Sequence, residues 1–356
     1  MTQTLTRSDY AECVARIVEG LWNHDDLVAA LQPVDADDES ALFAAADNVR
    51  REHMGDGVHL RGLVEFSNFC SRTCHYCGLR GPNAELVRYR MAPTDIIAAA
   101  VHANALGYRT AVLQSGEDAW YDADKIAGIV RGIKAACDIA ITLCVGERPR
   151  EDYALWREAG ADRYLLRIET SNRELYGRLH PNMSFDSRVR SLHVLRELGY
   201  QVGSGVLLGL PGQTVGMLAD DLAFLADFQP DMLGFGPFIP HPQTPLAAEP
   251  SGGVDVTLRM TALARLLIPD AYIVATTALG TLDPLGREKG LQAGANVVMP
   301  NVTPRQFRAL YEIYPNKICI DESAEKCRGC IEARIRSIGR HLAKDHGHAR
   351  WQQAGA

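Results

Sequence analysis

In the stretch EFSNFCSRTCHYCGLR, Glu65 to Arg80, three thiols stand at Cys70, Cys74 and Cys77, spaced C-x3-C-x2-C. A structural zinc site closes on four ligands, and a disulfide framework uses an even number of cysteines. Three close thiolates suit a cubane 4Fe–4S cluster instead. They hold three iron corners and leave the fourth iron open to another ligand. Zinc on the same thiols with His75 as fourth donor is the alternative, but a compact finger draws its second ligand pair from further along the chain. A second group, Cys319, Cys327 and Cys330, forms C-x7-C-x2-C near the end. The remaining three of the nine cysteines, Cys13, Cys137 and Cys144, stand alone and read as small buried hydrophobes. Clustered, unpaired thiols fit a reducing compartment.

The cysteines need a scaffold, and the rest of the chain supplies one by alternation. Short apolar stretches recur: HLRGLVEFSN, RTAVLQSG, IAITLCVG, DRYLLRIET, QVGSGVLLGL, DMLGFGPF, YIVATTA and ANVVMP. Helical periodicity fills the gaps, as in PTDIIAAAVHANALG and FDSRVRSLHVLRELG, and several of these segments stop at a glycine. Eight strands alternating with helices predict an α/β fold, a (β/α)8 barrel, over residues 56–312. An open doubly wound sheet would want a glycine-rich turn after its first strand, where this chain has cysteines. Residues 1–55 read as an N-terminal helical segment and 313–356 as a C-terminal segment carrying the second cysteine group. Loops after barrel strands form the mouth where active sites are built, so the first cysteine group is expected there.

Alternation along DRYLLRIET sends Arg163, Leu165, Arg167 and Glu169 into the lumen and Tyr164, Leu166 and Ile168 outward. Glu169 can compensate one arginine; the other is left for a ligand carboxylate, which matches a guanidinium fork. Thr142 and Cys144 share the inward parity of the third strand. Gly203, Gly205, Gly234 and Gly236 leave room in the lumen or mark close strand packing. Thr276 and Thr277 end the seventh strand and can offer hydroxyls to a substrate.

With 47% apolar and 23% charged residues the chain reads as soluble and globular. A net charge of -7 argues against nucleic-acid or anionic-membrane partners. MTQTLTRSDY lacks a signal pattern and no apolar run reaches about 18 residues, so a cytoplasmic protein is expected. The tail LAKDHGHARWQQAGA reads as polar and frayed, with surface histidines.

The C-x3-C-x2-C motif with an aromatic before its last cysteine resembles the signature of the radical S-adenosylmethionine (SAM) enzymes. In that superfamily the open iron chelates SAM, and an electron from the cluster yields methionine and a 5′-deoxyadenosyl radical. QSGE after the second strand, RIET after the fourth and GVLLGLPGQT after the fifth are similar to its SAM-contacting motifs. The resemblance implies SAM contacts from Tyr76, Gln114, Ser115, Gly116, Glu117, Thr142, Glu169, Arg188, Gly205 and Met232. Further stretches, among them RYRMAPTDI, GFGPFIPHPQTPLA and NVVMPNVTP, resemble the HydE family of FeFe hydrogenase maturases, with methylornithine synthases (PylB) and biotin synthases as relatives. That implies an organometallic small-molecule substrate, an iron–dicarbonyl–cyanide complex carrying a cysteine, held by Arg163, Arg167, Thr276 and Thr277. The radical would attack the cysteine sulfur. It also implies a second radical SAM maturase, a GTPase scaffold and a reductant as partners. Cys319, Cys327 and Cys330 resemble the auxiliary, often 2Fe–2S, site of many HydE chains; the spacing leaves a small zinc site or three free thiols open. A PylB-like lysine mutase and a non-catalytic metal-delivery scaffold are the competing readings.

Overall fold

The computed structural model describes residues 7–353; the extreme ends of the expected N-terminal and tail segments lie outside the described residues. The strands are β1 (Gly57–Ser67), β2 (Thr110–Ser115), β3 (Ala140–Cys144), β4 (Arg163–Leu165), β5 (Gln201–Ser204), β6 (Leu207–Leu208), β7 (Met232–Gly234), β8 (Gly236–Pro237), β9 (Tyr272–Val274), β10 (Val297–Val298) and β11 (His341–Leu342). Strands β1, β2, β3, β4, β5, β7, β9 and β10 pair in parallel in that order, and β10 returns to β1 through His59–Val297 and Leu60–Val298. The ring is a closed eight-stranded barrel with helices between its strands, as the alternation predicts. Strands β6 and β8 pair above β5 and β7 and extend the wall at the mouth.

Local chemistry explains the helix boundaries. Asp122, Ser184 and Thr214 each accept a backbone N–H with their side chains at the start of Ala123–Ala136, Phe185–Glu197 and Val215–Phe228. Gly199 and Gly160 take positive φ just beyond helix ends. The apolar core lies between barrel and helices, where Val64 and Phe66 of β1 meet Ile96, Ala100 and Tyr108. Three N-terminal helices, Arg7–Val18, His24–Ala30 and Ala36–Met54, precede the barrel; the middle one starts on a capping box of Asn23 and Asp26.

Two expectations need correction. The fifth stretch is not one strand: Gly205, at φ +156, breaks it, because a side chain there would meet the carbonyl oxygen of Gly234 at 2.0 Å. As far as the described residues reach, the tail is not frayed. Strand β11 adds in parallel to the start of β1, and the chain then folds across the bottom of the barrel. Asp345 pairs with His59 at 2.9 Å, and the Trp351 indole donates to Asp231 at 2.6 Å. His346 and His348 are half-buried rather than surface side chains. The polar tail finds partners because the barrel floor is itself polar.

Candidate active site

The loop after β1 is held open by its own side chains. The Asn68 amide donates to Val87 and Leu310 carbonyls at 2.8 and 2.7 Å and accepts from the Tyr89 N–H at 2.7 Å. Arg88 donates to the carbonyls of Leu79, Arg80 and Asn83 at 2.9, 2.8 and 3.1 Å. Neither residue stands out in the sequence, since nothing in their spacing distinguishes them from loop polars. Together they stretch the cysteine loop over the barrel mouth without an element of its own.

Beneath it lies a cavity of about 380 Å³, within the usual size for a small-molecule site. Cys74, Tyr76 and Cys77 line it from above. Cys70 sits beside strand β2, its sulfur accepting the Glu117 N–H at 3.4 Å. Gly116 permits that approach: a Cβ there would meet the Phe69 carbonyl at 2.2 Å and Cys70 Cβ at 2.8 Å. Gln114 and Ser115 line the cavity, and Gln114 donates to the Tyr311 hydroxyl at 3.2 Å. Glu117 does not line it. Its carboxylate accepts from Arg72 and, at 3.1 Å, from the Glu147 N–H.

Thr142 and Cys144 face the cavity, and the Thr142 hydroxyl is buried without a hydrogen-bond partner. Glu169 is held at φ +66, a costly conformation for a side-chain-bearing residue, and pairs with Arg167 at 3.1 Å. Arg167 also donates to the Val206 carbonyl at 2.6 Å, while its buried Nε has no partner. Met232, Thr276 and Thr277 line the cavity too. Arg188 lies behind the wall, paired with Glu147 at 2.7 Å and bonded to the Arg167 carbonyl. Gly205 is likewise outside the lining; its missing side chain serves strand packing.

Arg163 is the clear misplacement. Its parity is right and its depth is wrong: it lies at the bottom of the barrel, fully buried. It donates to Thr110 Oγ1 at 3.0 Å and to the carbonyls of His346 and Gly347, both at 2.8 Å. The tail has taken the acceptor role expected of a ligand. The undercompensated lumen arginine is instead Arg61, inward-facing on β1. It lines the cavity and donates to the Met232 sulfur at 2.7 Å, with Nε and Nη2 unpartnered. Period-two alternation along HLRGLVEFSN carries the signal that finds it.

The C-terminal segment roofs the cavity. Lys317 donates to both oxygens of Glu65, at 2.8 and 3.0 Å, and Asn301 completes that carboxylate at 2.7 Å. Cys319 lines the cavity with Arg287 beside it; Cys327 is buried and Cys330 exposed. A hydrogen bond with Cys327 and the nearby Arg287 favour the Cys319 thiolate.

Burial pushes the Cys74 thiol up to about 12, and its neighbour Cys70 adds to the shift; burial and Cys74 raise Cys77 in the same direction. Three half-buried thiols that oppose one another's ionisation are suited to a cationic partner that takes them as thiolates. Among the described residues no three His, Cys, Asp or Glu side chains are gathered as around one metal ion. His75 does not line the cavity, so it adds no fourth donor there. The donor set and the adjoining unpartnered polar groups fit a larger cluster with a ligand beside it.

A closed parallel barrel with a three-cysteine loop after its first strand defines the radical SAM class, and the radical SAM superfamily profile matches residues 64–225. The chain is 49% identical to the FeFe hydrogenase maturase subunit HydE of Thermotoga maritima, over 94% of this chain and 96% of that one. It therefore belongs to the HydE family of radical SAM enzymes. It is also 28% identical to the 3-methylornithine synthase of Methanosarcina acetivorans, over 84% of this chain and 85% of that one. The crystal structure of methylornithine synthase (PylB) superposes with a TM-score of 0.83 at 26% identity, covering 93% of this chain and 97% of that one. The family implies a 4Fe–4S cluster and SAM. Among the described residues no helix is long and apolar enough to cross a membrane.

Proposed function

We propose that this chain is an FeFe hydrogenase maturase whose Cys70, Cys74 and Cys77 hold a 4Fe–4S cluster over the barrel mouth. The cluster with SAM supplies a 5′-deoxyadenosyl radical. The chain's own residues do the rest. Gln114, Ser115, Thr142, Glu169 and Met232 form the wall against which SAM would lie. Arg167, with its unpartnered Nε, and Arg61 below it offer donors to the anionic end of a cysteine-bearing organometallic substrate. Thr276 and Thr277 add hydroxyls. The roof segment, held by Lys317 on Glu65, excludes water from a radical that would otherwise be quenched. The observation that carries this reading is that Cys74 and Cys77 share one cavity with the unpartnered Thr142 hydroxyl and Arg167 guanidinium.

Cys319, Cys327 and Cys330 would hold an auxiliary 2Fe–2S cluster at the edge of the cavity, with no part in SAM cleavage. A second radical SAM maturase would supply the substrate, a GTPase scaffold would receive the product and a reductant would load the electron. A lysine mutase activity is the second reading, because Arg167 suits a lysine carboxylate equally well.

Anaerobic reconstitution with iron and sulfide, then reduction with SAM, tests the proposal. A 4Fe–4S signal altered by SAM and the formation of 5′-deoxyadenosine are expected. Cys74→Ser should abolish both, and Cys327→Ser should leave both intact. Absence of 5′-deoxyadenosine from the parent chain sinks the reading, and 3-methylornithine formed from lysine moves it to the mutase.

A further inference from the structure

The cysteine loop is braced from one side by a segment that none of the SAM motifs includes. The helix Arg173–Leu179 follows the Glu169 loop and ends against the cysteines. The His75 N–H donates to the Leu179 carbonyl at 2.9 Å, and the Thr73 hydroxyl donates to the Pro181 carbonyl at 3.1 Å. Between these two contacts lies His180, 1% exposed. Its Nδ1 is 2.9 Å from the Tyr176 carbonyl, which can only accept, so the proton sits on Nδ1. Nε2 is then an acceptor, and the Tyr76 hydroxyl donates to it at 2.9 Å. The Tyr176 ring stacks on the imidazole at 4.2 Å and fixes its plane. Tyr76 lies between Cys74 and Cys77 in the chain, so whatever fixes Tyr76 constrains the span between those two sulfurs.

We propose that His180 is a positioning residue for the cysteine loop: its Nε2, oriented by the Tyr176 carbonyl, holds Tyr76 and thereby the separation of Cys74 and Cys77. The bare loop has no helix or strand to do this. The brace also links the loop that presents Glu169 to the loop that presents the thiols, since one short helix joins them. This inference rests on the cysteine loop being a cluster site.

The test is hydrogen exchange over residues 70–78 in the full chain, before and after reconstitution with iron and sulfide, together with the cluster's midpoint potential and its spectrum with SAM. His180→Phe keeps a flat ring and removes the acceptor. It should speed exchange in 70–78 by about fivefold, the worth of one net hydrogen bond, and shift the potential, with β2 and β3 unchanged. His180→Gln, whose amide oxygen can accept, should recover most of the protection, and Tyr76→Phe should reproduce the loss. Unchanged exchange in His180→Phe overturns the proposal, as does equal acceleration throughout the barrel. If His180→Phe fails to fold, Tyr76→Phe decides alone: unchanged exchange there is equally fatal. Exchange before reconstitution needs neither cluster nor turnover, so it reads the brace even if the proposed chemistry is wrong.

Discussion

At the residue scale, Thr142 separates a wall built for packing from one built for binding. A buried hydroxyl without a partner costs about 1–3 kcal/mol, and an apolar side chain of the same shape would avoid that loss. Thr142→Val should therefore raise the stability of the ligand-free chain by about 1 kcal/mol and raise the KM for SAM about tenfold. Chemical denaturation and initial rates of SAM cleavage read the two effects; a variant that loses stability and keeps its KM refutes a binding role for the hydroxyl. Alternation along DRYLLRIET was enough to find Leu165, Arg167 and Glu169 on the cavity wall. Applied to HLRGLVEFSN it also yields Arg61, Leu63 and Glu65, all of which line the cavity. Parity gives a face but no depth, and for that reason alternation alone points Arg163 at a ligand although it lies under the floor. The Lys317–Glu65 pair was not legible, because the partners are 252 residues apart and no local pattern joins them.

At the element scale, the loop after β4 has to hold Glu169 in a left-handed conformation, and the helix Val215–Phe228 supplies the anchor. Its Asp221 is fully buried and accepts from the Ser171 N–H and, at 2.7 Å, from the Ser171 hydroxyl. Burial outweighs those bonds and lifts the carboxyl from 3.8 to about 7, and Oδ2 has no partner. The sign follows from linkage. Between those two values the folded chain holds a proton that the unfolded chain has released, so this group's contribution to stability falls as pH rises. Asp221→Asn keeps an acceptor for Ser171 and removes the charge. Its stability relative to the parent should rise from about pH 4 to pH 7 and level off above, as followed by the thermal midpoint. A difference that does not vary with pH would refute a protonated Asp221. The alternation of strand and helix predicted such helices behind the barrel. It could not predict that strand β5 would be cut short, since that depends on how closely Gly205 approaches Gly234 across the ring.

At the scale of the whole molecule, the barrel is closed at its two ends by one continuous stretch of chain. Residues 311–319 roof the cavity, the helix Ala324–Ser337 descends the outside, and the tail from β11 onward seals the floor. Composition marked that tail as polar but could not reveal that its polarity answers Arg163, His59 and Asp231. Removing residues 341–356 would take from the Arg163 guanidinium the two carbonyls that now accept from it, leaving Gln201 and Thr110 as its partners. A hydrogen bond to a charged group contributes about 1.5–3 kcal/mol, so losing two of them on truncation should lower the thermal midpoint sharply. Arg163→Met in the truncated chain removes the stranded charge and should recover part of the loss. The same substitution in the full chain should be destabilising, because the His346 and Gly347 carbonyls lose their donor. That sign reversal is a coupling between residue and tail, which a double-mutant cycle measures directly. Because Arg163 lies below the cavity, Arg163→Met in the full chain should leave the KM for SAM unchanged. A raised KM without the coupling would return Arg163 to the role of ligand contact and leave the floor without its keystone.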